Sequence, residues 1–206
     1  MSISTPPRPA SAGTDPAART SHDGSRQRSF PGWRWMAVWP AFPVAGYIGW
    51  KLGGRVAAVD AALVGGALTG AGLGAVQWWA GNGALGRAVA WIGSSAVGYA
   101  LGLAAGAALV GYDTDLGALA LMGLVSGAAL GAAQGLVLAR QGRRALALPW
   151  ALAMPVLFAL GWSVASVTGI GVDDQFTVFG AGGALVFTLL SGLLLARFTP
   201  ARPQAE

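Results

Sequence analysis

The sequence predicts an all-α polytopic membrane protein in which six transmembrane helices form three tandem helical hairpins. Three observations lead to this prediction. The 206 residues are 54% hydrophobic and only 10% charged, whereas a soluble domain carries about 25% charged residues. The few charges leave long uncharged stretches between them, and one sequence pattern returns after 57 residues. This composition excludes an ordinary soluble domain.

Six stretches of the chain contain no Asp, Glu, Lys or Arg, and they are 16 to 28 residues long. They cover 35–50, 61–86, 88–112, 116–139, 145–172 and 175–196. About 20 apolar residues span the hydrocarbon core of a bilayer, because a helix rises about 1.5 Å per residue. The last five stretches reach that length, and the first reaches it if the ammonium group of Lys51 extends to the headgroups. We therefore expect a six-helix transmembrane domain over residues 34–198.

The two ends of the chain differ in composition from this domain. Residues 1–33 are rich in Ser, Pro, Arg and small residues without apolar periodicity, which predicts a disordered cytoplasmic tail. A cleaved signal peptide is rejected because the first apolar run begins only at Trp35. An organellar transit peptide is the alternative, and Asp15 and Asp23 weaken it. Residues 199–206 are expected to form a second short cytoplasmic tail.

The basic residues predict the orientation of the chain in the membrane. Positive residues accumulate on the cytoplasmic side of membrane proteins. Eleven arginines fall in the two tails and in the second and fourth loops, whereas the remaining loops hold only Lys51 and Arg55. We therefore expect a protein of the cell (inner) membrane with both termini in the cytoplasm. Anionic lipid, and not nucleic acid, is the expected partner of these positive charges.

Acidic residues precede three of the predicted helices. Asp60, Asp115 and the pair Asp173 and Asp174 stand just before the second, fourth and sixth stretches. A carboxylate at such a position accepts hydrogen bonds from the first backbone N–H groups and meets the positive end of the helix dipole. A divalent-cation site built from Asp113 and Asp115 or from the second pair is the alternative. We expect caps and no metal site.

The chain contains an internal sequence repeat. The segment 66–77 returns as 123–134, and in a third copy Gly180 and Ser191 hold the equivalent positions. Self-similarity at a fixed interval indicates repeated structural units. Each unit is a helical hairpin that enters and leaves on the same side, so the copies are parallel repeats. Three such hairpins either surround a central axis or stack as a compact layer.

Glycines four residues apart recur in the predicted helices and form a glycine zipper. Positions four apart share one helix face, and the absence of side chains lets two helix backbones approach closely in lipid. We therefore interpret these faces as helix-packing surfaces, with a glycine-lined pathway as the alternative. The packing glycines are Gly66, Gly70, Gly74, Gly98, Gly102, Gly106, Gly123, Gly127, Gly131, Gly161, Gly169, Gly180 and Gly192.

Gln77, Gln134 and Ser191 hold equivalent positions near the predicted cytoplasmic ends of their helices. In one interpretation their side chains hydrogen-bond between helices and fix the register, at about 0.6–2 kcal/mol each. In the other they line a vestibule for a small polar solute. No residue pattern decides between the two.

Aromatic residues divide by predicted depth. Tyr47, Tyr99 and Trp162 lie within the stretches, and we expect them to pack against the glycine faces, with stacking on a pigment or ligand as the alternative. Trp and Tyr at the membrane boundary act as interfacial anchors. The tryptophans predicted at cytoplasmic boundaries are Trp33, Trp35, Trp78, Trp79, Trp91 and Trp150.

Residues for catalysis are scarce. The chain has no Cys and a single His, His22, and no Asp, Glu, Lys, Arg or His lies inside the six stretches. The sequence therefore lacks the residues that proton carriers, nucleophile–base pairs and metal centres require. We expect no cofactor and no enzymatic activity. We expect instead a packed structural or accessory component that forms a homo-oligomer or has a membrane-protein partner. The alternative is a facilitator or channel for a small neutral or polar solute.

The motif Gly-x-x-x-Gly-x-x-Gln occurs at 70–77 and 127–134, followed by an Arg-bearing loop and by Gly-aromatic positions in the next stretch. With these features the chain resembles uncharacterised Gly-rich bacterial multi-pass membrane proteins built from repeated helical hairpins. The resemblance covers about residues 60–197. Its Gln-Trp pair is present at Gln77 but becomes Gln-Gly at Gln134. The resemblance implies a membrane fold and brings no activity.

Overall fold

The computed structural model describes residues 1, 30, 32–168 and 175–199 of the chain. Within these ranges the regular structure is entirely helical, with no strand. A four-residue helix, α1, precedes six longer helices. Their bounds are α1 (Gly32–Trp35), α2 (Val38–Gly53), α3 (Val59–Ala80), α4 (Ala88–Leu109), α5 (Leu116–Arg140), α6 (Arg144–Thr168) and α7 (Ala181–Phe198).

Five helices, α3 to α7, are long and apolar enough to cross a membrane. Helix α2 overlaps the first uncharged stretch but has only 16 residues, with Pro43 inside it. The all-α prediction is confirmed. The five apolar helices are consistent with a protein that crosses a membrane several times. In lipid the helix is favoured because its backbone satisfies its own hydrogen bonds.

Two boundaries differ from the predicted ones. Helix α1 begins at Gly32, inside the segment predicted as a tail. Helix α7 begins at Ala181 and not near residue 175, because Thr177, Val178 and Phe179 turn into the bundle and are buried there. The expectation that Gly180 packs on a helix face is therefore wrong, since Gly180 stands before the first turn of α7 with an extended backbone.

The predicted acidic caps have different outcomes. Asp115 caps α5, because its side chain accepts a hydrogen bond from the backbone N–H of Ala118 at 2.8 Å. The prediction for Asp60 is wrong: Asp60 is the second residue of α3, and Ala58 holds the capping position without a side-chain hydrogen bond. Asp60 still lies at the positive end of the helix dipole. Gly169 and residues 173–174 lie outside the described residues.

The six longer helices form a closed ring. Each packs against its neighbours in the chain, and α7 also packs against α2. At the end of the ring that carries α1, here called the terminal end, a guanidinium nitrogen of Arg143 donates to the carbonyl oxygen of Gly83 at 2.6 Å. At the opposite end, here called the distal end, Gln175 Nε2 donates to the carbonyl oxygen of Tyr112 at 3.1 Å.

Glycines lie at the contacts between α3, α4, α5 and α6. A Cβ atom at Gly66 would stand 2.9 Å from Ala100 Cα in α4, and one at Gly102 would stand 2.8 Å from Ser126 Cα in α5. A Cβ atom at Gly131 would stand 2.7 Å from the carbonyl oxygen of Ala151 in α6. These separations are shorter than van der Waals contact, so the backbones approach only because the side chains are absent. The same holds at Gly70, Gly106, Gly123 and Gly127, whereas at Gly74 and Gly98 a Cβ atom would first meet the side chains of Ser95 and Ala133 in the neighbouring helix.

Two further predicted glycines make room for aromatic rings. A Cβ atom at Gly161 would lie 2.7 Å from the ring of Phe179, and one at Gly192 would lie 2.8 Å from Trp35 Cδ1. The tight backbone contact between α6 and α7 is instead made by Gly183, which packs on the carbonyl group of Gly161. Glycine therefore serves helix contacts from α3 to α6, and near α7 it serves both a helix contact, at Gly183, and ring contacts, at Gly161 and Gly192.

Candidate functional site

Gln134 is the centre of a buried polar cluster near the terminal end. Its side chain is fully buried in α5 and contacts three other helices. Trp150 Nε1 donates to Gln134 Oε1 at 2.8 Å. Gln134 Nε2 donates to Ser95 Oγ at 2.8 Å and to Gln77 Oε1 at 3.4 Å. One amide therefore connects α5 with α3, α4 and α6.

Ser191, the third predicted member of the polar set, binds elsewhere. Trp35 Nε1 donates to Ser191 Oγ at 3.1 Å, and Ser191 Oγ donates to the carbonyl oxygen of Thr188 at 3.3 Å. The structure thus brings Gln77 and Gln134 into contact and places Ser191 in a separate hydrogen bond. All three side chains are buried.

Trp35, Trp91 and Trp150 meet inside the bundle. The ring centroids of Trp35 and Trp150 are 6.4 Å apart, and those of Trp91 and Trp150 are 5.7 Å apart. Both pairs meet edge to face, the arrangement that aromatic quadrupoles favour. None of the three rings is more than 1% exposed. The prediction that they are interfacial anchors is therefore wrong, because their helix faces point to the axis and not to lipid.

The tryptophans and the polar set follow one pattern. Trp150 in α6 donates to Gln134 in the preceding helix, and Trp35 in α1 donates to Ser191 in α7, the preceding helix around the ring. The corresponding third pair is Trp91 in α4 and Gln77 in α3. Within the described residues, however, Trp91 Nε1 is buried without a hydrogen-bond partner, and Gln77 Oε1 accepts from Gln134 instead. A buried donor without a partner costs about 1–3 kcal/mol.

Five aromatic side chains fill the axis between this cluster and the distal end. Phe42 from α2 stacks on Phe179 at a centroid distance of 4.8 Å. Phe158 from α6 contacts Phe187 from α7 and Tyr99 from α4, both at 5.4 Å. None of the five is more than 1% exposed. Since they come from α2, α4, α6, α7 and the segment before α7, they occupy the interior of the ring.

Of the aromatic residues predicted to lie deep, two are buried and one is not. Tyr99 and Trp162 are buried, as expected, whereas Tyr47 is 53% exposed. The expectation for Tyr47 is wrong because its position in α2 faces outward from the ring. The buried Trp162 contacts Phe179 edge to face at 6.0 Å.

A second polar cluster closes the axis toward the distal end. The hydroxyl oxygens of Thr69 and Thr177 are 2.7 Å apart, and Thr177 Oγ1 donates to the carbonyl oxygen of Gly46 at 3.0 Å. The hydroxyl group of Tyr99 donates to the carbonyl oxygen of Thr177 at 2.5 Å. Sequence reasoning missed Thr177. Its position depends on how residues 175–180 turn into the ring, which no local sequence pattern encodes.

The chemistry available along the axis is neutral hydrogen bonding. The buried polar side chains are amides, hydroxyls and indoles, which position helices and recognise neutral groups but carry no charge. Among the residues that the structure describes, no group of three or more His, Cys, Asp or Glu side chains is arranged to hold a metal ion. Compared with known proteins, the chain matches no family model, no curated protein and no solved structure.

Proposed function

We propose that this protein is a non-enzymatic, six-pass membrane component whose closely packed bundle has a structural or accessory role. The observation that carries the proposal is the filled axis. Phe158, its three aromatic neighbours and Phe42, which stacks on Phe179, occupy the interior of the ring, between the Gln134 cluster and the Thr177 cluster. A packed interior gives rigidity and leaves no space for a solute to pass.

Six passes arranged as three hairpins fit the packing of α2. This helix closes the ring by contacting both α3 and α7, although it is shorter than the five other long helices. The recurrence of a Trp–polar pair, made by Trp150 with Gln134 and by Trp35 with Ser191, favours hairpins around an axis over a flat layer. Homo-oligomers or complexes with another membrane protein would use the outer faces of the ring.

The cytoplasmic placement of both termini rests on arginine. Of the described basic residues, the distal end carries only Lys51, in the last turn of α2, and Arg55, in the loop after it. The terminal end of the bundle carries Arg34, Arg87, Arg140, Arg143, Arg144 and Arg197. The bias of positive residues toward the cytoplasm assigns the terminal end to that side, and the cell (inner) membrane is the membrane that we propose.

A facilitator for a small neutral solute is the second candidate. The contact between Gln77 and Gln134 favours it, because two buried amides offer donors and acceptors at one level of the bundle. For a solute to continue past them, Phe158 and Phe187 would have to move aside. This requirement makes the facilitator the weaker of the two functions.

Solute flux through reconstituted vesicles separates the two functions. Vesicles that contain the purified protein are mixed with hyperosmotic glycerol or urea, and their volume is followed by light scattering. We expect vesicles that contain the protein to show the same solute flux as protein-free vesicles. A protein-dependent flux that the double substitution Gln77→Leu and Gln134→Leu abolishes would contradict the packed component. The double variant must first elute as a folded, monodisperse protein.

A further inference from the structure

A cavity of about 300 Å³ lies in the distal half of the bundle. Its walls come from Pro43 and Tyr47 in α2, from Trp162 and Ala165 in α6, and from the segment that precedes and starts α7. The cavity exists because α7 begins only at Ala181. The space that a longer helix would fill between α2 and α6 is filled only in part by residues 175–180.

The cavity is apolar inside and opens at the outer surface of the ring. Trp162 and Ala165 are buried and line its inner wall, whereas Pro43, Tyr47 and Ala181 are exposed and lie at its mouth. Residues on the outer surface of a membrane-embedded ring face lipid chains. An apolar cavity with such a mouth is accessible from the bilayer.

A positive charge stands next to this mouth. Lys51 Nζ lies 5.5 Å from the ring centroid of Tyr47 and 5.1 Å from that of Trp50. Lys51 follows Tyr47 by one helical turn, which places it about 6 Å closer to the distal end of α2. The cation is therefore at headgroup level when the cavity is at acyl-chain level.

We propose that the cavity holds an acyl chain of an anionic glycerophospholipid whose phosphate lies at Lys51. The apolar wall matches the chain, and the ammonium group matches the phosphate. The cavity volume is at the lower limit of small-molecule sites, about 300–1,000 Å³. It is too small for a helix from a partner protein, which is about 10 Å across. This lipid site does not depend on the structural role proposed above.

Filling the cavity tests the acyl-chain contact. Ala181→Phe adds a ring at the mouth and keeps the backbone carbonyl that accepts from Trp39 Nε1. The matched control is Ala108→Phe, at an exposed position of α4 that does not line the cavity. Phosphatidylglycerol is titrated into each purified protein in detergent, and the lipid-bound fraction is read by native mass spectrometry. We expect Ala181→Phe to weaken the first binding event about tenfold, or about 1.4 kcal/mol, and the control to match the wild type.

Removing the charge tests the phosphate contact. The wild type is expected to prefer phosphatidylglycerol over phosphatidylcholine, and Lys51→Gln to reduce that preference by about fivefold. The matched control, Arg140→Gln at the terminal end, should keep the preference. Equal lipid binding by wild type and Ala181→Phe overturns the proposal, as does a wild type without headgroup preference. Elution as a dimer that Ala181→Phe converts to a monomer would assign the mouth to a second copy of the chain and would also overturn it.

Discussion

Trp150 donates its indole N–H to the side-chain oxygen of Gln134, 2.8 Å away, across the contact between α6 and α5. This hydrogen bond lies within a stretch of close backbone packing, since Gly131, one turn away, and the adjacent Gly135 both face the backbone of α6. In lipid, where the hydrophobic effect does not drive helices together, such a bond adds specificity to van der Waals packing. We therefore expect the pair to fix the register of the two helices.

Gln134→Leu is expected to lower the free energy of unfolding by about 1–2 kcal/mol, because the indole of Trp150 loses its partner inside the bundle. Gln77→Leu should cost less, since Gln77 receives only the 3.4 Å bond from Gln134. Denaturant titration of both variants in detergent measures the difference. Equal losses would contradict the assignment of Gln134 as the centre of the cluster.

Trp91→Phe is expected to leave stability unchanged or to raise it. The substitution keeps an aromatic ring beside Trp150 and removes an indole N–H that is buried without a partner within the described residues, a donor whose burial costs about 1–3 kcal/mol. Trp150→Phe is the matched control and should lower the free energy of unfolding by about 1 kcal/mol. If Trp91→Phe proves as damaging as the control, Trp91 has a hydrogen-bond partner in the membrane.

Gly127→Ala is expected to disrupt the contact between α5 and α6. A Cβ atom at Gly127 would overlap the carbonyl oxygen of Met154, a backbone atom that cannot rotate away. Gly93→Ala is the control, because a Cβ atom at Gly93 meets nothing within 4 Å. Size-exclusion chromatography and thermal unfolding should show loss of the monodisperse species for Gly127→Ala alone. A stable Gly127→Ala protein would exclude close backbone packing at this contact.

Asp115→Ala is expected to destabilise the protein by about 1 kcal/mol through loss of the N-terminal cap of α5. Asp60→Ala should have a smaller effect, since Asp60 interacts only with the dipole of α3 and makes no cap hydrogen bond. Thermal unfolding at low ionic strength compares the two variants. A larger effect of Asp60→Ala would show that Asp60 caps α3, as the sequence predicts.

The spacing of charges was sufficient to predict where the helices lie. Uncharged runs of sufficient length have one favourable state in lipid, so α3 to α6 follow directly from the positions of Asp60, Arg87, Asp115 and Arg144. Helix α7 does not follow in the same way. The uncharged run 175–196 starts six residues before α7. Residues 175–180 are not helical, because Thr177 and Phe179 pack inside the ring.

Whether each tryptophan side chain faces lipid or the bundle axis could not be predicted from its predicted depth in the membrane. A boundary position is typical of an interfacial anchor, yet Trp35, Trp91 and Trp150 all face the axis. Their direction depends on the rotation of each helix, which is set by packing across the ring. The repeated motif identifies Gln134 as a candidate, whereas its pairing with the indole of Trp150 depends on the fold.

Accessibility of the axis to water tests the packed bundle most directly. The chain has no cysteine, so each of two substitutions introduces a single thiol at nearly unchanged side-chain volume. Ser191→Cys places it beside Trp35 toward the terminal end, and Thr69→Cys places it in the Thr177 cluster. Arg87→Cys, in an exposed loop position, is the control. A small, water-soluble thiol reagent added to permeabilised vesicles should label the control within minutes and leave both buried thiols unmodified. Rapid labelling of Ser191→Cys and Thr69→Cys in folded protein would show a hydrated axis and contradict the packed interior.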